Sequence, residues 1–339
     1  MESRQAVIPI NHATQVGEAR REAGRFAELA GLSEEDRGRA QIVVSELATN
    51  ALRYAQGGEI HLHANLAGWV DILAIDRGPG ISNIDRCLSD GFSTGGTPGN
   101  GLGAVQRMSN EFDLYSTSPA GTVFFCRLFP TAAVPNGRRF AWGTVSRPAK
   151  DETICGDGWS VAERADCLSV LLIDGLGHGP EAAKAAREAT TLFDRDPFTP
   201  LALLFDSAHV RLQGTRGGAM AAAQIDPNLA ALRYMGVGNI AGYLRDAGGS
   251  AGRGLFSHNG TVGMQVRKLQ QFDYECPAGT LLIMHSDGLQ TRWALDKYPG
   301  LARRHPAVIA AVLYRDFTRG RDDVTVIVVR FSADSSGTG

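Results

Sequence analysis

The chain has 339 residues, enough for two domains of ordinary size. Hydrophobic residues make up 43% and charged residues 21%, with a formal net charge of −2, the profile of a globular protein with full cores. That near-neutral balance, with Arg and Lys scattered, excludes a basic arm or a global field for nucleic acid or an anionic membrane. The N-terminus has no charged region ahead of an apolar stretch, so no signal peptide is expected. Helical periodicity covers "VGEARREAGRFAELAGL" (16–32) and "SEEDRGRAQIVVSELATNALRYA" (33–55). Ser33 is placed to cap the second, and acidic residues fill its first turn. "GEIHLHANL" and "WVDILAID" alternate as paired strands with a turn near Gly68. A glycine-rich loop, another helix and a strand follow. The stretch 129–152, with three prolines and no sustained periodicity, reads as the passage between domains, although "RRFAWGTVSR" fits a first strand of the second.

Beyond that passage, "CLSVLLID" reads as a buried strand and "GPEAAKAAREATTLF" as a helix with Pro180 in its first turn. "AMAAAQIDPNLAALRYMGVGNIAGYLRD" reads as three strands, with turns at Asp226-Pro227-Asn228 and Gly238-Asn239. "GTLLIMHSDGL" and "RDDVTVIVVRF" each join a strand to an acidic turn, and the tail 332–339 is too small and polar to fold. Cys87, Cys126, Cys155, Cys167 and Cys276 make no CxxC pair, which argues against a disulfide framework or zinc site and fits a reducing cytoplasm. No run reaches the roughly 18 apolar residues that a membrane helix needs.

Three pieces of the first half belong together. Glu46 and Asn50 lie four residues apart, on one helix face that the apolar positions leave free. Asp76 ends a strand, with Gly78 and Gly80 permitting a sharp turn. "GFSTGGTPGNGLGAVQRM" is a glycine loop opening a helix, suited to placing backbone N–H groups on phosphates. A strand-end carboxylate can accept the adenine amine, an Asn oxygen can ligate Mg²⁺, and a nearby Glu can deprotonate an attacking hydroxyl.

At these residues the sequence resembles the GHKL (Bergerat-fold) ATP-binding family over residues 10–130. Within it, it looks most like the anti-sigma serine kinases of bacterial partner switching, with "DGFSTGGTPGNGLGAVQRMSNEFDLYS" especially similar to the RsbT type. The resemblance implies an α/β sandwich binding ATP with Mg²⁺. It makes Asn50 the metal ligand, puts Asp76, Gly78 and Gly80 at the nucleotide and Gly99, Gly101 and Gly103 around the phosphates, and makes Glu46 the catalytic base.

The stretch "LLIDGLGHGPEAAKAA" (171–186) looks like a phosphate loop, but it lacks the Walker lysine and hydroxyl, and its G-x-G-x-G spacing is not the dinucleotide fingerprint. Acidic turns recur instead at Asp157, Asp174, Asp287 and the Asp322–Asp323 pair, several at the ends of apolar strands. Carboxylates converging from strand ends need cations, and a hard oxygen set without His or Cys favours Mg²⁺ or Mn²⁺. Two such ions would activate water for attack on phosphorus.

Residues 140–331 resemble the PP2C-type phosphatases in their SpoIIE/RsbX branch, through "DGLGHGPEAAKAA", "HSDGL" and "RDDVTVIVV". The resemblance implies a PP2C-like αββα sandwich, so that the whole chain is of the α+β class, with 131–139 as linker. It implies Asp174 as the catalytic, bridging ligand of two ions, with the Gly175 carbonyl, Asp157, Asp287 and Asp322 completing the site; Asp322 is favoured over Asp323. "CGDGWSV" departs from the family's GGD pattern. His178 is implied close to the ions, its role as an acid left open. The expected partners are STAS-domain proteins, phosphorylated and unphosphorylated, with the stressosome as a candidate assembly and with no nucleic acid and no membrane. Two other readings stay open: an N-terminal binding module without kinase activity, and a regulatory scaffold with inactive sites. His61 and His63 share one strand face without a third ligand and read as solvated. Trp142 and Trp159 read as core.

Overall fold

The computed structural model describes residues 4–65, 67–88, 101–130, 139–164, 166–246, 252–266 and 268–332. The chain divides into two units, one made of Met1–Asn136 with Gly300–Arg315, the other of Gly137–Pro299 with Asp316–Gly339. Gly300–Arg315 thus joins unit 1 although it lies, in sequence, within the stretch 140–331.

Unit 1 begins with β1 (Gln5–Ile10), α1 (Ala13–Leu29) and α2 (Glu34–Ala55). Ser33 caps α2, its Oγ accepting from the Asp36 N–H at 3.1 Å, and Glu34, Glu35 and Asp36 face the positive helix end. The helical repeat in α2 buries Ala40, Val43, Val44, Leu47 and Ala51, leaving Glu46 and Asn50 on another face. The strands β2 (Gly58–Asn65) and β3 (Trp69–Ile75) are followed by α3 (Ile84–Leu88), α4 (Gly101–Met108), β4 (Glu111–Thr117) and β5 (Gly121–Leu128). They form one antiparallel sheet ordered β1-β2-β3-β5-β4. One sheet face packs on α1 and α2 around Phe26, Val44, Leu47, Ile60 and Ile72.

β3 and β5 are buried at every residue, so their second face is covered too. Gly300–Arg315 covers it. Arg127 is only 2% exposed and forks onto Asp71 at 2.5 and 2.9 Å. Burial alone would raise the Asp71 carboxyl, but Arg127 and His63 beside it hold it well below the usual carboxylate range. His305 stacks on Phe125 at 4.1 Å, Arg304 pairs with Asp113 at 3.1 Å, and the Tyr314 hydroxyl donates to Glu59 at 2.8 Å. His61, 6% exposed, lies edge-on to Tyr314 and 3.0 Å from Glu59. His61 and His63 therefore do not form a solvated face: the alternation was read correctly, but a segment remote in sequence covers the polar side.

Unit 2 carries β6 (Phe140–Arg147), β7 (Asp157–Arg164), β8 (Cys167–Gly175), α5 (Gly179–Arg195), α6 (Leu201–Leu212), β9 (Gly218–Asp226), β10 (Ala231–Val237) and β11 (Ala241–Arg245). There follow β12 (Gly252–Leu255), β13 (Gly260–Thr261), β14 (Gln265–Val266), β15 (Phe272–Glu275), β16 (Leu281–His285), α7 (Pro306–Phe317) and β17 (Val324–Phe331); of α7, all but the last two residues belong to unit 1. Two five-stranded sheets, β15-β10-β9-β8-β7 and β12-β11-β16-β17-β6, make a sandwich. Trp142 of β6 meets Trp159 of β7 at 6.1 Å between them. The amphipathic helices α5 and α6 cover the first sheet through Ala185, Ala189, Phe193 and Phe205.

Candidate functional site

In unit 1, a cavity of about 810 Å³ opens beside α2 and is lined by Glu46, Asn50, Asp76, Gly80, Gly101 and Leu102 among others. Asp76 follows the end of β3. Its Oδ1 accepts from the Gly78 N–H at 2.8 Å and the Thr122 N–H at 3.1 Å, which fixes the carboxylate and leaves Oδ2 available to a ligand. Burial pushes this carboxyl up, against the pull of those two N–H groups and of Arg315. Glycine is required at 78 because a Cβ there would sit 2.5 Å from that of Ala55. Gly80 turns with φ +75°, a region other residues rarely enter. A Cβ on Gly101 would lie 3.0 Å from Glu46 Oε2, so the start of α4 abuts the expected base. Gly103 is buried in α4. Gly99 lies outside the described residues.

The acidic turns of unit 2 are brought together by register. β7 and β8 pair so that Asp157 stands directly opposite Asp174. β16 pairs with β17 in the other sheet, His285 facing Val326, which puts Asp287 and the Asp322–Asp323 turn at one sheet end. Ser286 ties the sheets together: its Oγ donates to Asp157 Oδ2 at 2.7 Å and accepts from the Thr325 N–H at 2.9 Å. Gly175 leaves no room for a side chain, since a Cβ would fall 2.2 Å from the Ala182 carbonyl oxygen.

Like charges at this spacing resist ionisation. Burial and then Asp157, Asp287, Asp322 and Asp323 push the Asp174 carboxyl up to about 9. Asp157 is raised, chiefly by burial, and so are Asp287 and Asp323. Asp157 Oδ1 and Asp323 Oδ2 are buried and make no hydrogen bond among the described residues. Among those residues, no three side chains already form a closed ligand cage. The donors fit a divalent cation nonetheless: hard oxygens, excess negative charge and buried lone pairs without partners. Asp323 also has a structural task, its Oδ1 accepting from the Ala149 N–H at 2.8 Å, whereas exposed Asp322 accepts from the neighbouring Asp323 N–H at 2.9 Å. Burial and the adjacent carboxylates push the Cys155 thiol well above its ordinary value, which disfavours the thiolate.

Three residues near this site escaped the sequence reading. Asn239 donates to Asp287 Oδ2 at 2.7 Å; it was assigned only to a turn. Glu152 contacts His178, with Oε1 2.7 Å from Nδ1. Arg216 places Nη1 3.2 Å from where a Cβ on Gly177 would be, a cation beside the acidic loop. None belongs to a strand–acid turn.

Residues 10–125 match the model of the histidine kinase-like ATPase domain, and residues 164–332 that of stage II sporulation protein E. The serine/threonine-protein kinase RsbT of Bacillus subtilis (strain 168) is 39% identical over 108 residues, covering 31% of this chain and 81% of RsbT. The chain joins an RsbT-like ATPase domain to a SpoIIE-type phosphatase domain. A solved structure from work on the bacterial stressosome, as a modular system adapted to control secondary messenger signalling, is 29% identical with a TM-score of 0.53, covering 57% of this chain and all of its own. A structure of RsbX with magnesium, 19% identical with a TM-score of 0.51 over 58% of this chain and 97% of its own, shares the fold. The fusion is thus a GHKL-like domain, homologous to a serine kinase, followed by a PP2C-type phosphatase domain. No helix of the described residues is long and apolar enough to cross a membrane.

Proposed function

We propose that the chain is a cytoplasmic partner-switching regulator. Its phosphatase domain removes phosphate from phosphoserine or phosphothreonine of a STAS-domain protein, and its ATPase domain phosphorylates a protein of the same class. The likeness to RsbT, and to a structure from the stressosome system, supports the choice of partner.

The observation that carries the phosphatase reading is the Asp157–Asp174 cross-strand pair, with Asp157 tied to the other sheet through Ser286 and its Oδ1 buried without a hydrogen-bond partner among the described residues. Asp157, Asp174, Asp287, Asp322 and the Gly175 carbonyl would hold two Mg²⁺ or Mn²⁺ ions, which supply charge neutralisation at the phosphoryl group and an acidified water. Ser286 orients Asp157, Asn239 orients Asp287, and Arg216 offers a cation to the phosphoryl oxygens. In the ATPase domain Asn50 would take Mg²⁺ and Asp76 the adenine amine. Gly78 and Gly80 shape the turn after Asp76, Gly99, Gly101 and Gly103 approach the phosphates, and Glu46 accepts the proton of the substrate hydroxyl.

The first test is Mn²⁺-dependent hydrolysis of p-nitrophenyl phosphate. Asp174→Asn is expected to lower kcat about 10³-fold or more, the equivalent of several kcal/mol of lost charge stabilisation. Wild-type activity indifferent to metal, or retained in the variant, would refute the phosphatase reading. Labelled ATP with a candidate STAS protein tests the other domain: phosphate transfer abolished by Glu46→Ala supports the kinase, and no transfer by the wild type leaves a binding module.

A further inference from the structure

We propose that Glu152 is a positioning residue that holds His178 as the general acid of the phosphatase domain; the proposal rests on the phosphatase reading above. His178 is the N-cap residue of α5, three positions after Gly175, with extended backbone and no capping hydrogen bond from its side chain. Its imidazole is therefore not used by the helix it precedes. It is used by Glu152, whose Oε1 lies 2.7 Å from Nδ1. The His178 side chain is 64% exposed and that of Glu152 28%, so the ring is open to a ligand arriving from solvent.

The backbone makes room for this contact. Gly179 adopts φ +71°, and a Cβ there would stand 3.0 and 3.1 Å from the two Glu152 oxygens. Any other residue would be strained and would crowd the carboxylate, so glycine at 179 admits Glu152 to the ring. The loop is pinned on its other side by the Leu176 N–H, which donates to the Gly217 carbonyl at 2.9 Å.

An ionised carboxylate only accepts hydrogen bonds, so Nδ1 carries a proton and donates it to Glu152. The contact fixes ring orientation and leaves Nε2 as the nitrogen free for substrate. In hydrolysis a water oxygen bonds to phosphorus and loses its proton to solvent. The bond from phosphorus to the serine oxygen breaks, its electron pair going to that oxygen. The imidazolium gives the Nε2 proton to the departing oxygen and becomes the neutral Nδ1–H tautomer that Glu152 stabilises. Solvent restores the Nε2 proton. A nitrophenolate leaves without such help, whereas a serine alkoxide is a poor leaving group and needs it.

The leaving-group comparison is the test. With Mn²⁺, kcat is measured on a phosphoserine peptide and on p-nitrophenyl phosphate for wild type, Glu152→Ala, Glu152→Gln, His178→Ala and the Glu152→Ala/His178→Ala double variant. General-acid loss costs about 10²–10⁴-fold and loss of an orienting partner about 10–100-fold. The peptide rate is expected to fall accordingly, far more than the aryl ester rate, in both alanine variants. Glu152→Gln keeps an acceptor oxygen and should fall least. The double variant should be no slower than His178→Ala, because Glu152 acts through the ring. ¹⁵N NMR of the metal-free chain gives a readout independent of turnover: neutral His178 protonated at Nδ1 in wild type, and mixed tautomers in Glu152→Ala. Equal losses on both esters, additive losses in the double variant, or an unchanged tautomer would each overturn the proposal while leaving the phosphatase standing. A wild-type chain inert toward both esters would overturn the phosphatase reading, and this proposal with it.

Discussion

The nucleotide cleft and the acidic site solve opposite problems. Around the cleft, the strand-end carboxylate is already held in place: Asp76 Oδ1 accepts from two backbone N–H groups, and glycines at 78 and 80 bring the chain close without a side chain. In the phosphatase domain, carboxylates crowd at strand ends, each raising its neighbours, and two buried oxygens have no hydrogen-bond partner among the described residues. The first site is shaped before its ligand arrives. The second concentrates electrostatic repulsion that a bound proton or a metal cation relieves, so its ligand should contribute to stability as well as to chemistry.

That contrast breaks most visibly at Asp174. Its folded-state value lies near 9 against an ordinary 3.8, so between those limits the native metal-free protein binds more protons than the unfolded chain. The contribution to stability is therefore lost as pH rises from about 4 through about 9. Thermal unfolding of the chelated wild type is expected to move to lower temperature across that range, with Mn²⁺ restoring most at the alkaline end. Asp174→Asn removes the repulsion and should melt several degrees higher than chelated wild type at pH 8, at roughly 2–4 °C per kcal/mol for a domain of this size. An equal or lower melting temperature would mean the carboxylates are not strained. The smaller effect belongs to the cleft. Asp76→Asn exchanges a charged acceptor for a neutral one and is expected to weaken ATP binding about tenfold, a change read by calorimetry, because a charge-assisted hydrogen bond is worth about 1.5–3 kcal/mol and the amide keeps part of it. Unaltered affinity would remove Asp76 from the adenine contact.

Local pattern made much of this legible. The α2 repeat, its Ser33 cap and the strands ending at Asp76 and Asp174 follow from spacing and turn chemistry alone. The acidic turns could be grouped because strand-then-acid is a repeated local signal. What stayed hidden was non-local. Pro306–Arg315 is buried all round, so its sequence announces a core helix without saying which core. His61 and Asp71 alternate like residues facing water, and only the returning segment takes water away. Glu152 lies in a turn with no motif of its own, and only the three-dimensional path of the loop brings it to His178.

The return of Gly300–Arg315 to unit 1 bears on how such a protein is inherited and degraded. The segment lies between Asp287 and Asp322, in the midst of the phosphatase half, yet Arg304, His305 and Tyr314 complete the sheet of the ATPase half. A protease nicking the chain within 131–138 would not release two finished domains, because the first fragment would keep its sheet covered only while the second stayed attached. Recombination at that point would likewise leave an ATPase half with Arg127 and Asp71 laid bare. An intact ATPase unit therefore includes residues encoded well after Asp287.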